Sequence, residues 1–581
     1  MNKKNKFVSV LLLALLAFAL VALAACGGGN NDEDDQTTPP VDEGQQQTED
    51  QVAPPDVDVE PDLTPEGIDP QTFRGIPYDT VGQVTVMLIS GDDTWRPDIG
   101  NQNLGPDDFG GAMNVAAIHA VAREFNQIFP NIQVNLWSQT GSPNRDDTPW
   151  EEHRAIFQEE HGIPADIFHV TNLVGEIERG FVADLSVFND DPRMMLFNPA
   201  IVDLMSYDNR LFGLPQWMVP GGIWVNRALA NEHNIDIPPI NWTWEQYMAF
   251  ASHSSHEEFY GGVSIPWNVM NSATTDIHHQ LFNRGPNDPF VNIDTEANRQ
   301  FVRDAAQFVP HAVWQQRNQG LISDEWHTAR GSSSWGFFRH GATLTNNQNA
   351  YMISGAALPG GANEVASTDW DIFPRPATAQ LPNHVGISID PIALRNFAGA
   401  DGVLTPEAWL QKQIAWEFAT FWLVNNASWS ARANQVFHDS AGAPQRALNP
   451  SFSFATGYAF EVHMHYWGSV PARQRFLDAN LMPGWQEVMR LWNEGYIWEV
   501  VQTVYPWTFE FEGGNRAIAH EWWNRHTEAV AGAAEHEPEW ADLVISLMPE
   551  WDRVINERWD EAFVRLYDAI ARFYPILTIP E

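Results

Sequence analysis

The sequence predicts an α/β fold in which helices cover both faces of a mostly parallel sheet. Apolar β-rich runs alternate with helical patterns between residues 83 and 226, which is the pattern of strands joined by crossover helices. The body of the chain, from about residue 76 to residue 581, is longer than one hydrophobic core supports. At least two domains are therefore expected.

The first elements follow in order from the pattern of apolar residues. The run QVTVMLIS at 83–90 ends at Gly91 and predicts a buried strand. Apolar residues then recur at helical spacing between Met113 and Ile128, and Pro130 ends that helix. The run IQVNLWSQ at 132–139 predicts the second strand.

A second helix and a third strand complete this alternation. A helical stretch is expected around 150–160, a strand at ADIFHV (165–170), and a short helix near 173–179. In sheets of this kind, ligands bind beyond the carboxyl ends of the strands. The sequence places those ends at 90–95, 137–140 and 169–172.

The amino terminus predicts export and a lipid anchor. Three lysines precede an apolar run from Phe7 to Ala25, in the order that a secretory signal requires. Cys26, the one cysteine in 581 residues, follows this run directly, so an internal disulfide is excluded. The stretch Leu23-Ala24-Ala25-Cys26 resembles the bacterial lipobox, which implies cleavage before Cys26 and a diacylglyceryl group on its sulfur. The apolar run is also nearly long enough for a retained membrane span.

Residues 26–75 are expected to form a disordered tether. This segment is rich in Asp, Glu and Pro, and between residues 30 and 70 it holds no Lys, Arg or aromatic residue. Such a composition cannot bury enough apolar surface to offset the entropy lost on ordering. Its like charges hold it extended.

Charge limits the partners of the whole chain. The formal net charge is −43, which disfavours nucleic acid, anionic headgroups and phosphorylated ligands. Neutral or cationic small molecules suit this surface better. Lys412 is the one lysine that remains after the signal segment, and whether this scarcity reflects an alkaline or saline habitat stays open.

Several blocks along the chain together resemble the extracellular solute-binding proteins of ABC importers, in the branch that mainly takes carbohydrates. Phe212-Gly213-Leu214-Pro215 stands where that family has YGLP. The blocks occur in the family's order, and they are PADIFHVTNLVGEIERGFVADLSVF (164–188), the segment at 209–251, GFFRHGATLTNNQNAYMI (336–353), DWDIFPRPA (369–377), AWEFATFWL (415–423), AGAPQRALNP (441–450) and PGWQEVMRLWNEGYIWEV (483–500).

The resemblance implies a type II periplasmic-binding-protein-like fold, with two lobes joined by hinge-crossing strands. Lobe one is expected at 76–205 and 331–388, and lobe two at 206–330 and 389–581. The last 65 or so residues exceed a minimal family member, and apolar residues between Trp551 and Leu566 share one helical face there. We read this pattern as an extra C-terminal helix on the second lobe.

The implied function is to capture a neutral sugar or oligosaccharide and deliver it to the transmembrane subunits of an ABC permease. A monomer is expected, held by the lipid on Cys26 at the outer face of the cell membrane. Sugars present flat C–H faces ringed by hydroxyls, so their sites combine aromatic platforms with polar side chains. The chain contains 26 Trp. The candidate ligand-binding residues are Asp93, Trp95, Trp137, Gln139, Asn172, Gln216, Trp217, Trp267, Trp335 and Asn347.

Catalytic and metal motifs are absent from the sequence. It contains no H-E-x-x-H, no G-x-S-x-G elbow and no P-loop, and we expect no cofactor, metal or catalytic residue. A carboxylate pair could always be nominated among 75 acidic residues, so a secreted glycoside hydrolase stays open as an alternative. A cell-surface lipoprotein without a transport role is the other alternative. Amino acids or peptides also remain open as ligands, because a fold does not fix its ligand.

Overall fold

A computed structural model describes the chain from residue 68 onward, with gaps. The described residues are 68–90, 94–140, 150–170, 172–255, 258–263, 294–318, 320–349, 365, 369–378, 381–398, 402–439, 442–448, 464–466, 471–500 and 537–579.

The strands in these ranges form one mixed nine-stranded sheet and two small hairpins. The strands are β1 Gly82–Ser90, β2 Thr94–Arg96, β3 Ile132–Thr140, β4 Ile167–His169, β5 Ser206–Tyr207, β6 Arg210–Leu211, β7 Leu214–Val225, β8 Thr345–Asn349, β9 Asp371–Phe373, β10 Val385–Leu394, β11 Val436–His438, β12 Pro444–Arg446 and β13 Ile497–Val500. The nine-stranded sheet has the order β2-β3-β1-β4-β10-β7-β8, with β13 beside β10 and β9 beside β7.

The helices alternate with these strands, as the sequence predicts for its first part. They are α1 Met113–Ile128, α2 Trp150–His161, α3 Leu173–Glu178, α4 Pro199–Leu204, α5 Arg227–Glu232, α6 Trp244–Ala251, α7 Glu296–Ala306, α8 Val313–Asn318, α9 Asp324–Ala329, α10 Ser334–Arg339, α11 Pro406–Val424, α12 Asn426–Asn434, α13 Pro483–Asn493 and α14 Glu537–Phe573.

The first lobe is built on β1, which lies between β3 and β4 and is parallel to both. Successive residues of β1, such as Val84, Thr85 and Val86, are all buried. Burial on both faces is typical of parallel sheets covered by helices. The predicted strands and helices of this lobe are confirmed within a few residues.

Two long strands carry the chain between the lobes. β7 is antiparallel to β10, and the two pair from Leu214 with Ile392 to Gly221 with Gly386. At one end β10 pairs with β4 of the first lobe, and at the other end it pairs with β13. The far end of β7 pairs with β8 and β9. These crossing strands and the mixed sheet confirm the predicted two-lobe fold.

The hydrophobic core is continuous along the crossing strands. It includes Val86 and Leu136 in the first lobe and Trp224, Trp370 and Trp485 at the far end of β7. A smaller cluster in the second lobe gathers around Tyr260 and Phe337. The lobes therefore share apolar packing at the junction where they are joined.

Helix α11 lies in a different lobe from the one that the sequence predicts. The predicted division places it in lobe two, but in the structure it packs against β1 and α1 of the first lobe. Phe418 and Phe421 lie edge-on to Phe125, at 5.1 and 5.5 Å between ring centroids. The sheet face beside β1 needs an apolar cover, and α11 is buried on most sides.

The segment predicted to return to lobe one, 331–388, also differs from the prediction. Its strands β8 and β9 pair with the carboxyl half of β7, and β9 contacts α13, so these elements belong to the second lobe. Chain order could not reveal this. Which lobe a segment joins depends on pairing between residues that are far apart in sequence.

The predicted tether ends earlier than residue 75. Gln71 accepts a hydrogen bond on its side-chain oxygen from the backbone N–H of Asn426 at 2.8 Å, and its amide donates to the carbonyl of Val424 at 3.0 Å. Gly75 donates its N–H to Glu417 at 2.9 Å. Residues 71–75 are therefore fastened to the first lobe by contacts with helices α11 and α12.

The extra C-terminal helix is present as α14. Phe563 and Leu566, both on its predicted apolar face, are buried. It contacts α3 of the first lobe as well as α7 of the second, so its packing is not confined to the second lobe. None of the helices in the described ranges combines the length and the apolar composition needed to cross a membrane.

Candidate functional site

The parallel strands of the first lobe end at one edge of the sheet. β1 and β3 run in register and finish together, with Ser90 beside Thr140. β4 ends at His169, which pairs with Ile392 of the crossing strand β10. The carboxyl ends of these parallel strands therefore meet at the same edge of the sheet, and this edge lies beside the crossing strand β10.

The crossing strands carry a bulge at this junction. Trp217 of β7 lies opposite Asp390, and Pro215 lies opposite Pro391, so the register shifts between them. Gln216 is the extra residue of the bulge and is half-buried. Bulges bend a strand and redirect its side chains, and they recur beside functional sites. The structure thus places the backbone of two predicted ligand residues, Gln216 and Trp217, at the junction of the lobes.

Trp95 and Trp137 are brought together in one aromatic cluster. They lie opposite each other on β2 and β3, so both side chains are on the same face of the sheet. Trp137 stacks on Phe157 of α2, with ring centroids 4.5 Å apart and planes at 11°. Trp95 stacks on His161 at 5.0 Å. Both tryptophans are half-buried, so each retains some exposed ring surface.

Asn172 has a structural task at the start of α3. Its side-chain oxygen accepts a hydrogen bond from the N–H of Gly175 at 2.7 Å, which caps the helix. The cap fixes the turn that follows β4. This oxygen is therefore engaged, whatever its amide group contacts.

Trp335 lies apart from these residues, in the core of the second lobe. Its side chain is 6% exposed and packs edge-on against Trp224, at 4.9 Å between centroids. This placement favours a core role over the predicted ligand-lining role. The sequence signal was the resemblance of this segment to cleft-lining parts of the solute-binding family, and it did not distinguish the two roles.

The remaining predicted residues are described in part or lie outside the described ranges. Asp93, Trp267 and Cys26 fall outside them. For Gln139 and Asn347 the backbone is described: Gln139 pairs with Ile89, and Asn347 pairs with Ile223 on β7. Their roles as ligand residues stay predictions.

His169 is a residue at this edge that the set of predicted ligand residues omits. It ends β4 and is 7% exposed, and burial lowers the pKa of its imidazole to about 4. The ring is therefore neutral near pH 7. The signal was in the sequence, because His169 occupies a predicted strand end.

The low pKa of His169 should make stability depend on pH. Its folded-state pKa of about 4 lies below the usual 6.5, so the unfolded chain binds more protons between these values. Stability from this group is present above pH 6.5 and falls as the pH drops toward 4, by about 3 kcal/mol in total. We expect His169→Gln to show a shallower loss of unfolding free energy than the wild type between pH 6.5 and 4, measured by urea denaturation. Equal slopes in the two proteins would contradict the assignment.

The described residues offer no cluster typical of metal catalysis. Within the ranges above, no group of three or more His, Cys, Asp and Glu side chains is placed to hold a metal ion. The arrangement at the edge consists of aromatic rings, amides and a neutral imidazole. Such groups can stack on a ligand and form hydrogen bonds with it.

The similarity of this chain to known proteins lies with solved structures, at low sequence identity. No family model matches the sequence, and a search of curated proteins found no match. Among solved structures, the sugar-binding protein MalE from Xanthomonas citri aligns with a TM-score of 0.49 and 12% identity, over 84% of this chain and 99% of that chain. The cyclic α-maltosyl-1,6-maltose binding protein from Arthrobacter globiformis gives a TM-score of 0.49 and 12% identity, over 82% and 100%. An ABC substrate-binding protein from Listeria monocytogenes in complex with cycloalternan gives 0.45 and 13%, over 85% and 99%.

Proposed function

We propose that this chain is the substrate-binding lipoprotein of an ABC importer, which captures a neutral sugar or oligosaccharide between its lobes and delivers it to a membrane permease. The observation that carries the proposal is the pair of crossing strands, β7 and β10, set against the carboxyl edge of the first lobe's sheet. Two lobes joined by a few strands can close on a ligand by hinge motion without chemistry. The blocks of sequence that resemble solute-binding proteins support the same class.

The choice of a neutral sugar as the ligand rests on the aromatic side chains of the site and on the net charge of the chain. Trp95 and Trp137 form a half-buried aromatic pair on one sheet face, suited to the apolar face of a sugar. The formal charge of −43 disfavours phosphorylated ligands. Amino acids and peptides are the competing ligand classes, and a ligand screen separates them.

We propose a location at the cell membrane on the basis of the amino-terminal sequence. A signal segment, a single cysteine and an acidic proline-rich stretch precede the folded lobes. Two acyl chains on Cys26 give stable anchoring where a single chain is marginal. We therefore place the protein on the outer face of the membrane, within reach of the permease.

A ligand screen by thermal shift tests the proposal. A ligand that binds the folded state stabilises it by RT ln(1 + [L]/Kd), which is about 2.7 kcal/mol at 100 times Kd. We expect members of a saccharide library to raise the melting temperature and to be recovered unchanged. Shifts with amino acids or peptides alone would reject the sugar assignment, and sugar release from an oligosaccharide would favour the glycoside hydrolase.

Trp217→Ala should weaken sugar binding by roughly thirty-fold, about 2 kcal/mol. The backbone of Trp217 lies on the crossing strand opposite Asp390, at the junction of the lobes, where we propose that the ligand binds. Isothermal titration with a saccharide from the screen measures the loss. The melting temperature of the unliganded protein should stay nearly unchanged.

Trp335→Ala is the matched control. The same substitution at a packed core site leaves a cavity, so it should lower the melting temperature of the unliganded protein. A sharp drop in the melting temperature for Trp217→Ala would instead assign Trp217 to the core.

A further inference from the structure

Helix α14 contacts both lobes of the protein. It packs against α3, which follows the last parallel strand of the first lobe, and against α7, whose Phe301 lies 5.4 Å from Trp244 in the second lobe. Its 37 residues span about 55 Å at 1.5 Å per residue. A helix of this length can contact both lobes at the same time.

The carboxyl half of α14 is fastened to the first lobe. Leu566 and Ile570 belong to the main core, and Phe573 packs against Gly180 so closely that a Cβ there would meet its ring at 3.0 Å. Arg210 donates a hydrogen bond to the carbonyl of Tyr574, just beyond the helix. Apolar packing and a hydrogen bond together therefore hold this half of the helix to the first lobe.

The amino half of α14 carries two buried apolar residues, Ala541 and Met548, at 5% and 1% exposure. Met548 precedes Arg565, which lies 3.9 Å from Glu178 of α3, by about 25 Å along the helix axis. We assign the contact with α7 to this half.

Pro549 lies in the interior of α14, directly after Met548 and on the amino side of the residues that contact the first lobe. Proline has no N–H, so the hydrogen bond to the carbonyl of residue 545 is missing, and its ring crowds that carbonyl. Sharp bends in helices occur at such positions. The helix therefore has one built-in point at which bending breaks no further hydrogen bond.

We infer that α14 is a strut that couples the two lobes and bends at Pro549 when they move. The inference rests on the lobe motion in the proposed function, and it assigns the regulation of that motion to the C-terminal helix. With its carboxyl half fastened to the first lobe, the contact of α14 with α7 limits how far the second lobe can open. Bending at Pro549 lets the lobes close while both contacts persist.

Spin-label distances in the unliganded protein test this inference. Cys26→Ser removes the one cysteine of the sequence, so no other thiol takes up a spin label. In that background, Glu159→Cys on α2 and Glu245→Cys on α6 place one label on each lobe. Both positions are exposed. We expect Met548→Asp to widen the distribution of distances between the labels, because a carboxylate at this buried position disrupts the packing of the amino half of α14. Val564→Asp, at a 48% exposed position on the same helix, should leave the distribution unchanged.

The outcomes separate the two parts of the inference. If Met548→Asp retains its helical circular dichroism and gives the same distribution as Val564→Asp, the strut is refuted. Should Met548→Asp lose helicity, the milder Met548→Ala is compared with the wild type by the same criterion. Pro549→Ala restores the missing hydrogen bond and should narrow the distribution. An unchanged width in Pro549→Ala would refute bending at this residue.

These measurements use no sugar, so their failure is distinct from failure of the proposed function. A protein that binds no saccharide could still show the strut. A sugar-binding protein with unchanged distances in both variants would keep the proposed function and lose the strut.

Discussion

Trp224→Ala should destabilise the protein by about 3–5 kcal/mol, the cost of emptying a large aromatic site in a packed core. Trp224 is fully buried on β7 and stacks on Trp370, with ring centroids 4.9 Å apart. Trp335 and Phe338 meet the same ring edge-on. Urea denaturation of the unliganded protein measures the loss, and Trp224→Phe should lose less because part of the ring contact survives.

Tyr78→Ala is the control for this prediction. Tyr78 is 62% exposed, and substitutions at exposed positions usually change stability by about 0.5 kcal/mol or less. If Trp224→Ala lost no more stability than Tyr78→Ala, the packing at the far end of β7 would not be as described.

Cys26→Ala should abolish lipid labelling entirely. If the protein is a lipoprotein as proposed, the sulfur of Cys26 is the one thiol that can carry a diacylglyceryl group, since the sequence has no other cysteine. Without it the protein should be released from the membrane or should keep its signal segment uncut. Metabolic labelling with a fatty acid, followed by membrane fractionation, measures both results.

Ser9→Ala is the matched control, because it changes the signal segment but keeps its apolar run and Cys26. It should be labelled and anchored like the wild type. Incorporation of lipid into Cys26→Ala would reject the lipobox interpretation. Retention of an unlabelled, uncut protein in the membrane would fit a signal that can still span the bilayer.

The first lobe could be predicted element by element because its signal is local. The spacing of apolar residues within short segments predicts three of its elements, which are the strand at 83–90, the helix at 113–128 and the strand at 132–139. Gly91 and Pro130 mark the ends of the first strand and of the helix. Parallel pairing then follows from the alternation of strands and helices.

The candidate site could be predicted in outline but not side chain by side chain. Strand ends gave Trp95 and Trp137, which the structure brings together, and the loop before β7 gave Gln216, which lies at the bulge. Trp335 was chosen because its segment resembles a cleft-lining part of the solute-binding family, yet it is buried against Trp224. Whether a tryptophan packs in the core or faces a ligand depends on which distant elements cover it.

The sequence by itself determined the α/β alternation of the first lobe. Its one cysteine and the acidic tether after it also led to the hypothesis of a lipid-anchored protein. Those features rest on composition and on contacts between near neighbours in the chain. The tertiary structure decided that α11 covers the first lobe, that β8 and β9 belong to the second, and that α14 touches both. Each of these depends on pairing between distant segments, where the burial of whole apolar faces outweighs order along the chain.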